Sequence, residues 1–270
     1  MSRLDDRMAQ LGAEGKKALV AYLCMGDPST SESVDLAVAC AEAGADVLEL
    51  GVPFSDPSAD GPAIARASER ALAAGGGLGA ALEAACAIRA RTAAPLVLFG
   101  YYNPIFVFGE ARLAAAAKDA GVDALLVVDL PVDEAAPLRA VCKERGLSLV
   151  PLLAPTSDDG RVALTRAAAT ACPAGFAYYV SLTGVTGSAA APVAEAGARA
   201  RELRAQLGVP VVVGFGIDSP EKARAAAAAG ADGVVVGSAI VRLVAEGRDP
   251  IARARAVTEL VRGLRAAIDS

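Results

Sequence analysis

The sequence predicts an α/β protein closed into a single (β/α)8 barrel over residues 1–270. Eight short β-branched and leucine-rich runs recur along the chain, each followed by an alanine-rich helical stretch. The runs are nearly continuous in apolar residues rather than alternating, as expected of parallel strands covered on both faces. A weak internal echo supports the count. AEAGADVLEL, KDAGVDALLV and AAAGADGVVV each end a helix on glycine, pass a small residue and an aspartate, and enter a strand. Alternating units of this kind close best as a TIM barrel, with a doubly wound open sheet as the structural alternative.

The strands are expected at 18–24, 47–50, 95–100, 124–130, 147–153, 175–180, 209–215 and 233–237. Helices are expected at 31–43, 62–90, 105–120, 133–145, 157–169, 190–207, 219–229 and 250–267, where alanine favours the helical state. The charged amphipathic opening, MSRLDDRMAQLG, adds an N-terminal helix, and SAIVRLVAE forms a short extra helix after the eighth strand. The glycine closing each echoed helix supplies a left-handed residue that turns the chain back. No linker or compositional break divides the chain.

Composition narrows the chemistry. With 54% hydrophobic and 21% charged residues the chain can fill a large core and is poor material for disorder. A net charge of -5 offers no basic surface, so nucleic acid and anionic membranes are not expected partners. The opening lacks the apolar core of a signal peptide and no apolar run has the length of a membrane span, so a cytoplasmic protein is expected. The five cysteines lie 16 or more residues apart, which excludes a CxxC knuckle or redox pair. There is no histidine, which removes histidine triads and most zinc sites and leaves acid–base work to carboxylates, Tyr, Lys or Cys.

In such a barrel the chemistry lies at the C-terminal ends of the strands. There the stretch LELGVPFSDPSADGP holds two carboxylates of different setting. Strand alternation puts Val47 and Glu49 on one face and Leu48 and Leu50 on the other. A charge pressed into the helix layer is costly, so Glu49 is expected inside the barrel, where apolar neighbours raise its pKa. The competing reading is a buried glutamate paired with Arg or Lys. Asp60 stands before Gly61-Pro62; taken alone it reads as a helix cap, yet Pro53, Pro57 and Pro62 stiffen its loop and make it a placed group. Asp56 reads as a turn residue.

The loops SLTGVTG (181–187), GFGI (214–217) and GSAI (237–240) follow the last three strands. Glycine admits close backbone approach, and a helix N-terminus faces an anion with free N–H groups. A substrate phosphate is therefore expected, held by backbone dipoles more than by side-chain cations.

LELGVPFSDPSADGP, YYNPIF, DLPVDE, SLTGVTG, GFGI and GSAIV, in this order and spanning about residues 17–250, closely resemble the tryptophan synthase α-subunit family. The resemblance implies retro-aldol cleavage of indole-3-glycerol phosphate to indole and glyceraldehyde 3-phosphate. It places the family's catalytic pair on Glu49, as proton shuttle, and Asp60, as partner of the indole N–H. It also implies substrate contacts at Tyr178, Thr186 and Phe176, where the family often carries a tyrosine instead. Phe99, Tyr101, Leu126 and Ile64 would line an indole slot, and Gly187, Gly216, Gly237 and Ser238 would contact the phosphate. No metal or organic cofactor is implied for this chain. Pyridoxal phosphate belongs to a β subunit that receives indole within an α2β2 assembly, faced by the loops holding Asp56 and SLTGVTG. The rival readings are a stand-alone indole-glycerol-phosphate lyase, a catalytically silent regulatory subunit and a flavin-binding barrel.

Overall fold

The structure, a computed structural model, describes residues 2–180, 191–214 and 216–270, and only the backbone of Ala191 and Pro192. Its strands are β1 (Ala18–Cys24), β2 (Val47–Gly51), β3 (Leu96–Gly100), β4 (Ala124–Val127), β5 (Ser148–Val150), β6 (Leu152–Leu153), β7 (Ala177–Val180), β8 (Val211–Gly214) and β9 (Gly233–Val236). All pairings are parallel, in the order β5-β4-β3-β2-β1-β9-β8-β7-β6. β5 and β6 are the two halves of the expected fifth strand, parted at Pro151, which has no N–H for a ladder. The Pro151 carbonyl accepts the Tyr178 N–H at 2.9 Å. The chain itself thus carries the wall from β5 to β6, and the barrel is nearly closed.

The helices are α1 (Arg3–Ala13), α2 (Thr30–Glu42), α3 (Pro62–Ala73), α4 (Leu78–Arg89), α5 (Tyr102–Phe108) and α6 (Glu110–Asp119). They continue as α7 (Ala136–Glu144), α8 (Asp159–Ala171), α9 (Ala191–Leu207), α10 (Pro220–Ala229), α11 (Ser238–Glu246) and α12 (Pro250–Ile268). Two expected helices are each broken in two. The stretch 62–90 parts at Gly75–Gly77, where Gly75 has φ 86° and a Cβ on Gly76 would lie 2.7 Å from the Ala71 carbonyl oxygen. The stretch 105–120 begins earlier, at Tyr102, and parts at Gly109, φ 92°. Positive φ cannot continue an α-helix. The expected strand 124–130 stops at Val127, because Asp129 turns out to accept the Tyr102 N–H at 2.7 Å.

Alternation sorts the side chains as expected of a barrel. Val20, Val47, Val97, Leu126, Tyr178, Val212 and Val235 belong to the interior cluster. Leu19, Leu48, Leu50, Leu96, Leu98 and Leu125 belong to the cluster shared with the helices. α1 adds Leu4, Met8 and Leu11 to the interior and so plugs the floor of the barrel.

The internal echo has a structural meaning. Asp46, Asp123 and Asp232 each donate a backbone N–H to the carbonyl of Leu19, Leu96 and Val211 in turn, at 2.8–2.9 Å. Each carboxylate also accepts the N–H of that same residue, at 2.7–3.0 Å. Arginines close the set: Arg7 and Arg265 on Asp46, Arg3 and Arg89 on Asp123, Arg204 on Asp232. The repeated aspartate thus clasps neighbouring strands at the end opposite the chemistry.

Candidate active site

β2 carries Glu49 into the barrel. Its register partners are Tyr22 on β1 and Val97 on β3. The side chain is 0% exposed, and neither carboxylate oxygen has a hydrogen-bond partner among the described residues. No arginine or lysine there pairs with it, so the ion-pair reading fails. Burial alone drives its pKa up to about 8, because an ion without a partner is poorly tolerated away from water.

Asp60 ends the turn in which its N–H meets the Pro57 carbonyl at 3.0 Å. It is not the cap of α3: the N-cap is Gly61, Pro62 fills the first helical position, and no side chain caps the helix. The helix-cap reading is therefore corrected. Burial raises Asp60 to about 6, opposed by a hydrogen bond from the Tyr101 hydroxyl. That hydroxyl also accepts the Ala59 N–H at 2.9 Å, and the Tyr101 ring lies 5.2 Å from that of Phe54. One phenol thus holds the loop next to its carboxylate. Asp56, by contrast, is exposed and accepts the Ser55 hydroxyl proton, as a turn residue does.

Tyr178 and Tyr22 are buried, and the charges of Glu49 and Asp60 help to push both phenols well above their ordinary range, after burial itself. Both rings fit because glycine stands beside them. A Cβ on Gly51 would lie 2.3 Å from the Tyr22 hydroxyl, and one on Gly214 would lie 2.0 Å from that of Tyr178. Tyr22 was not anticipated from the sequence. Its signal was available, since Val20 and Tyr22 share a face by the alternation that turns Glu49 inward.

The remaining expected residues fall into four groups. Phe99 is half-buried and meets Tyr22 edge-on, centroids 5.2 Å apart; Ile64 of α3 packs in the same cluster as Tyr22. Leu126 and Phe176 are fully buried in the interior cluster. Phe176 precedes β7 and shares that cluster with α1, one layer below Tyr178. Gly216 is exposed with φ 77° and open space where a Cβ would stand. Gly237 caps α11 without a side-chain hydrogen bond and Ser238 begins it, leaving the first N–H groups of the helix to a ligand. Gly237 also lies against β1, its notional Cβ 3.3 Å from that of Tyr22. Thr186 and Gly187 lie outside the described residues. Among the described residues no three His, Cys, Asp or Glu side chains converge as a metal site would require.

Comparison with known proteins identifies the family. Residues 8–269 match the family described as tryptophan synthase alpha chain. The tryptophan synthase alpha chain of Geobacter sp. (strain M21) is 52% identical over 242 residues, covering 90% of this chain and 89% of the relative. That of Xanthomonas oryzae pv. oryzae (strain PXO99A) is 48% identical, covering 100% and 99%. The crystal structure of tryptophan synthase subunit alpha from Legionella pneumophila str. Paris superposes with a TM-score of 0.90 at 36% identity, covering 100% of this chain and 99% of that one. With likeness end to end in both sequence and fold, the chain belongs to the tryptophan synthase alpha chain family.

Proposed function

We infer that the chain is a lyase catalysing the α reaction of tryptophan synthesis, the retro-aldol cleavage of indole-3-glycerol phosphate to indole and glyceraldehyde 3-phosphate. The observation that carries the residue assignment is Glu49, a buried carboxylate without a hydrogen-bond partner among the described residues, beside Tyr22 of the adjacent strand and with Tyr178 in the same interior. The substrate phosphate sits on Gly216, Gly237 and Ser238, where the N-terminus of α11 favours an anion. Gly187 and Thr186 belong to the same proposal. The indole ring lies among Phe99, Tyr101 and Ile64, with Tyr22 as a further wall and Leu126 and Phe176 beneath.

The two carboxylates divide the work because their surroundings differ. Near neutrality Glu49, at about 8, is protonated, and Asp60, at about 6, is ionised. Glu49 gives its proton to indole C3, and Asp60 accepts the indole N–H and stabilises the positive charge that develops on the ring. The bond from C3 to the glycerol carbon then breaks. The hydroxyl on that carbon becomes the aldehyde, and its proton returns to Glu49. Tyr178 closes the pocket beside Glu49.

Indole passes to a β subunit. The apolar side chains of Phe106 and Val107, 67% and 78% exposed on the helix that follows β3, support a docking face on the mouth side of the barrel, where the loop holding exposed Asp56 also lies. An α2β2 assembly, pyridoxal phosphate held by the β subunit and a cytoplasmic location complete the proposal. Among the described residues no single helix is long and apolar enough to cross a membrane. The stand-alone lyase is not favoured, since the relatives are named as alpha chains of the synthase. The test is to supply indole-3-glycerol phosphate and measure released indole, for the chain alone and with a β chain. Absence of indole in both would overturn the proposal.

A further inference from the structure

A cavity of about 350 Å³ opens on the flank of the barrel, and none of the described residues assigned to the cleavage site lines it. It exists because the wall is unstitched there. β4 pairs with β5 only as far as Leu126↔Val150, while Leu152 of β6 pairs with β7, so no strand ladder joins Val127 to Leu152. The helix layer parts at the same place: α7 packs on α6 and α8 on α9, and the two barely touch each other. Ala168 and Ala169 on the facing side of α8 add no bulk to fill the gap.

The chemistry of the lining is specific. Leu149, packed with the helix-side cluster, and Val150 and Leu152, packed with the interior cluster, line it together with Pro151, and Arg139 and Arg161 bring two guanidinium groups. Arg161 is neutralised by an ion pair with Asp133. Arg139, half-buried on α7, donates to the Val132 carbonyl at 2.9 Å and has no acidic partner among the described residues. Asp129 stands at the rim, its carboxylate bound to the Tyr102 N–H. One uncompensated cation suits a singly charged anion. A dianion would leave its second charge facing Asp129. The volume is at the small end of the roughly 300–1,000 Å³ of ligand pockets, enough for about one aromatic ring.

We propose that this cavity binds a small monocarboxylate with an apolar body of about one ring, its carboxylate seated on Arg139. The fork of the guanidinium favours two parallel hydrogen bonds to a carboxylate, and the ring takes the place of water against the leucines.

The test is calorimetric titration of the full chain with 3-phenylpropanoate, phenyl phosphate and 3-phenylpropanol. 3-Phenylpropanoate is expected to bind saturably in the millimolar range or tighter. Arg139→Gln should weaken it by about tenfold or more, the loss expected of a charged hydrogen bond. Ala168→Leu, which fills the cavity, should abolish it, while the neutral alcohol binds at least about tenfold more weakly. Circular dichroism checks that each variant is folded, and either variant suffices if the other is not. Absence of saturation, unchanged affinity in a folded variant, or tighter binding of phenyl phosphate would overturn the proposal.

Discussion

Tyr22 and Glu49 are register partners on adjacent parallel strands, and both side chains point into the barrel. The glutamate finds no hydrogen bond among the described residues, and the tyrosine, pressed against Gly51, shares its interior. A buried ionisable group left without a partner costs stability, so its retention is understood through the proton it carries.

Glu49→Gln is expected to reduce indole formation by at least the roughly hundredfold typical of removing an acid–base group, with substrate affinity largely kept. Steady-state cleavage beside a binding titration checks this. Near-normal turnover would end the shuttle assignment.

The two carboxylates also define a pH window. The form with Glu49 protonated and Asp60 ionised dominates between about pH 6 and about pH 8. A plot of kcat/KM is therefore expected to rise through the lower value and fall through the upper. A profile without either limb would contradict these roles.

Stability should follow pH in the same sense. The folded-state pKa of Glu49 is raised from 4.5 to about 8, so the folded protein holds that proton more tightly than the unfolded chain. The contribution is full below the unfolded value and is lost as pH rises through the folded one. Urea midpoints of the wild type and Glu49→Gln should diverge in favour of the variant between about pH 4.5 and about pH 8. Parallel curves would mean that the carboxyl is not desolvated.

Tyr101→Phe removes the acceptor of the Ala59 N–H and the hydrogen bond that lowers the Asp60 pKa. The acid limb of the rate profile should move to higher pH, with a loss of about 0.5–1.5 kcal/mol in stability. An unmoved limb would leave the phenol as packing.

Asp46→Ala tests the clasp at the far end of the barrel. It leaves Arg7, Arg265 and the Leu19 N–H without their acceptor, and should cost roughly 3–5 kcal/mol by denaturant titration. The variant's kcat, measured below its unfolding temperature, should be little changed, since barrel chemistry resides at the opposite face. A collapse of kcat with stability intact would reverse this division.

Much of the fold was legible. β1 occupies the expected residues 18–24, and the inward turn of Glu49 follows from the leucines on either side of it. The breaks were less so. Gly75–Gly77 and Gly109 interrupt runs whose alanine content speaks for continuous helix, and backbone φ there is set by how the flanking helices dock. Pro151 lies inside an apolar run that alternation alone would leave whole. Asp60 reads as a cap by position, yet the cap is Gly61, because the Pro57 turn and Tyr101 hold the carboxylate elsewhere.

By itself the sequence determined the barrel, the order of its strands and the face on which Glu49 lies, since these follow from periodicity and from glycine, proline and alanine acting over a few residues. The tertiary structure decided that no cation among the described residues reaches Glu49, that Tyr22 and Tyr178 face it, and that the three echoed aspartates clasp strands together. It also opened the cavity beside Arg139. Each of these depends on contacts between residues far apart in the chain, whose distances no local pattern encodes.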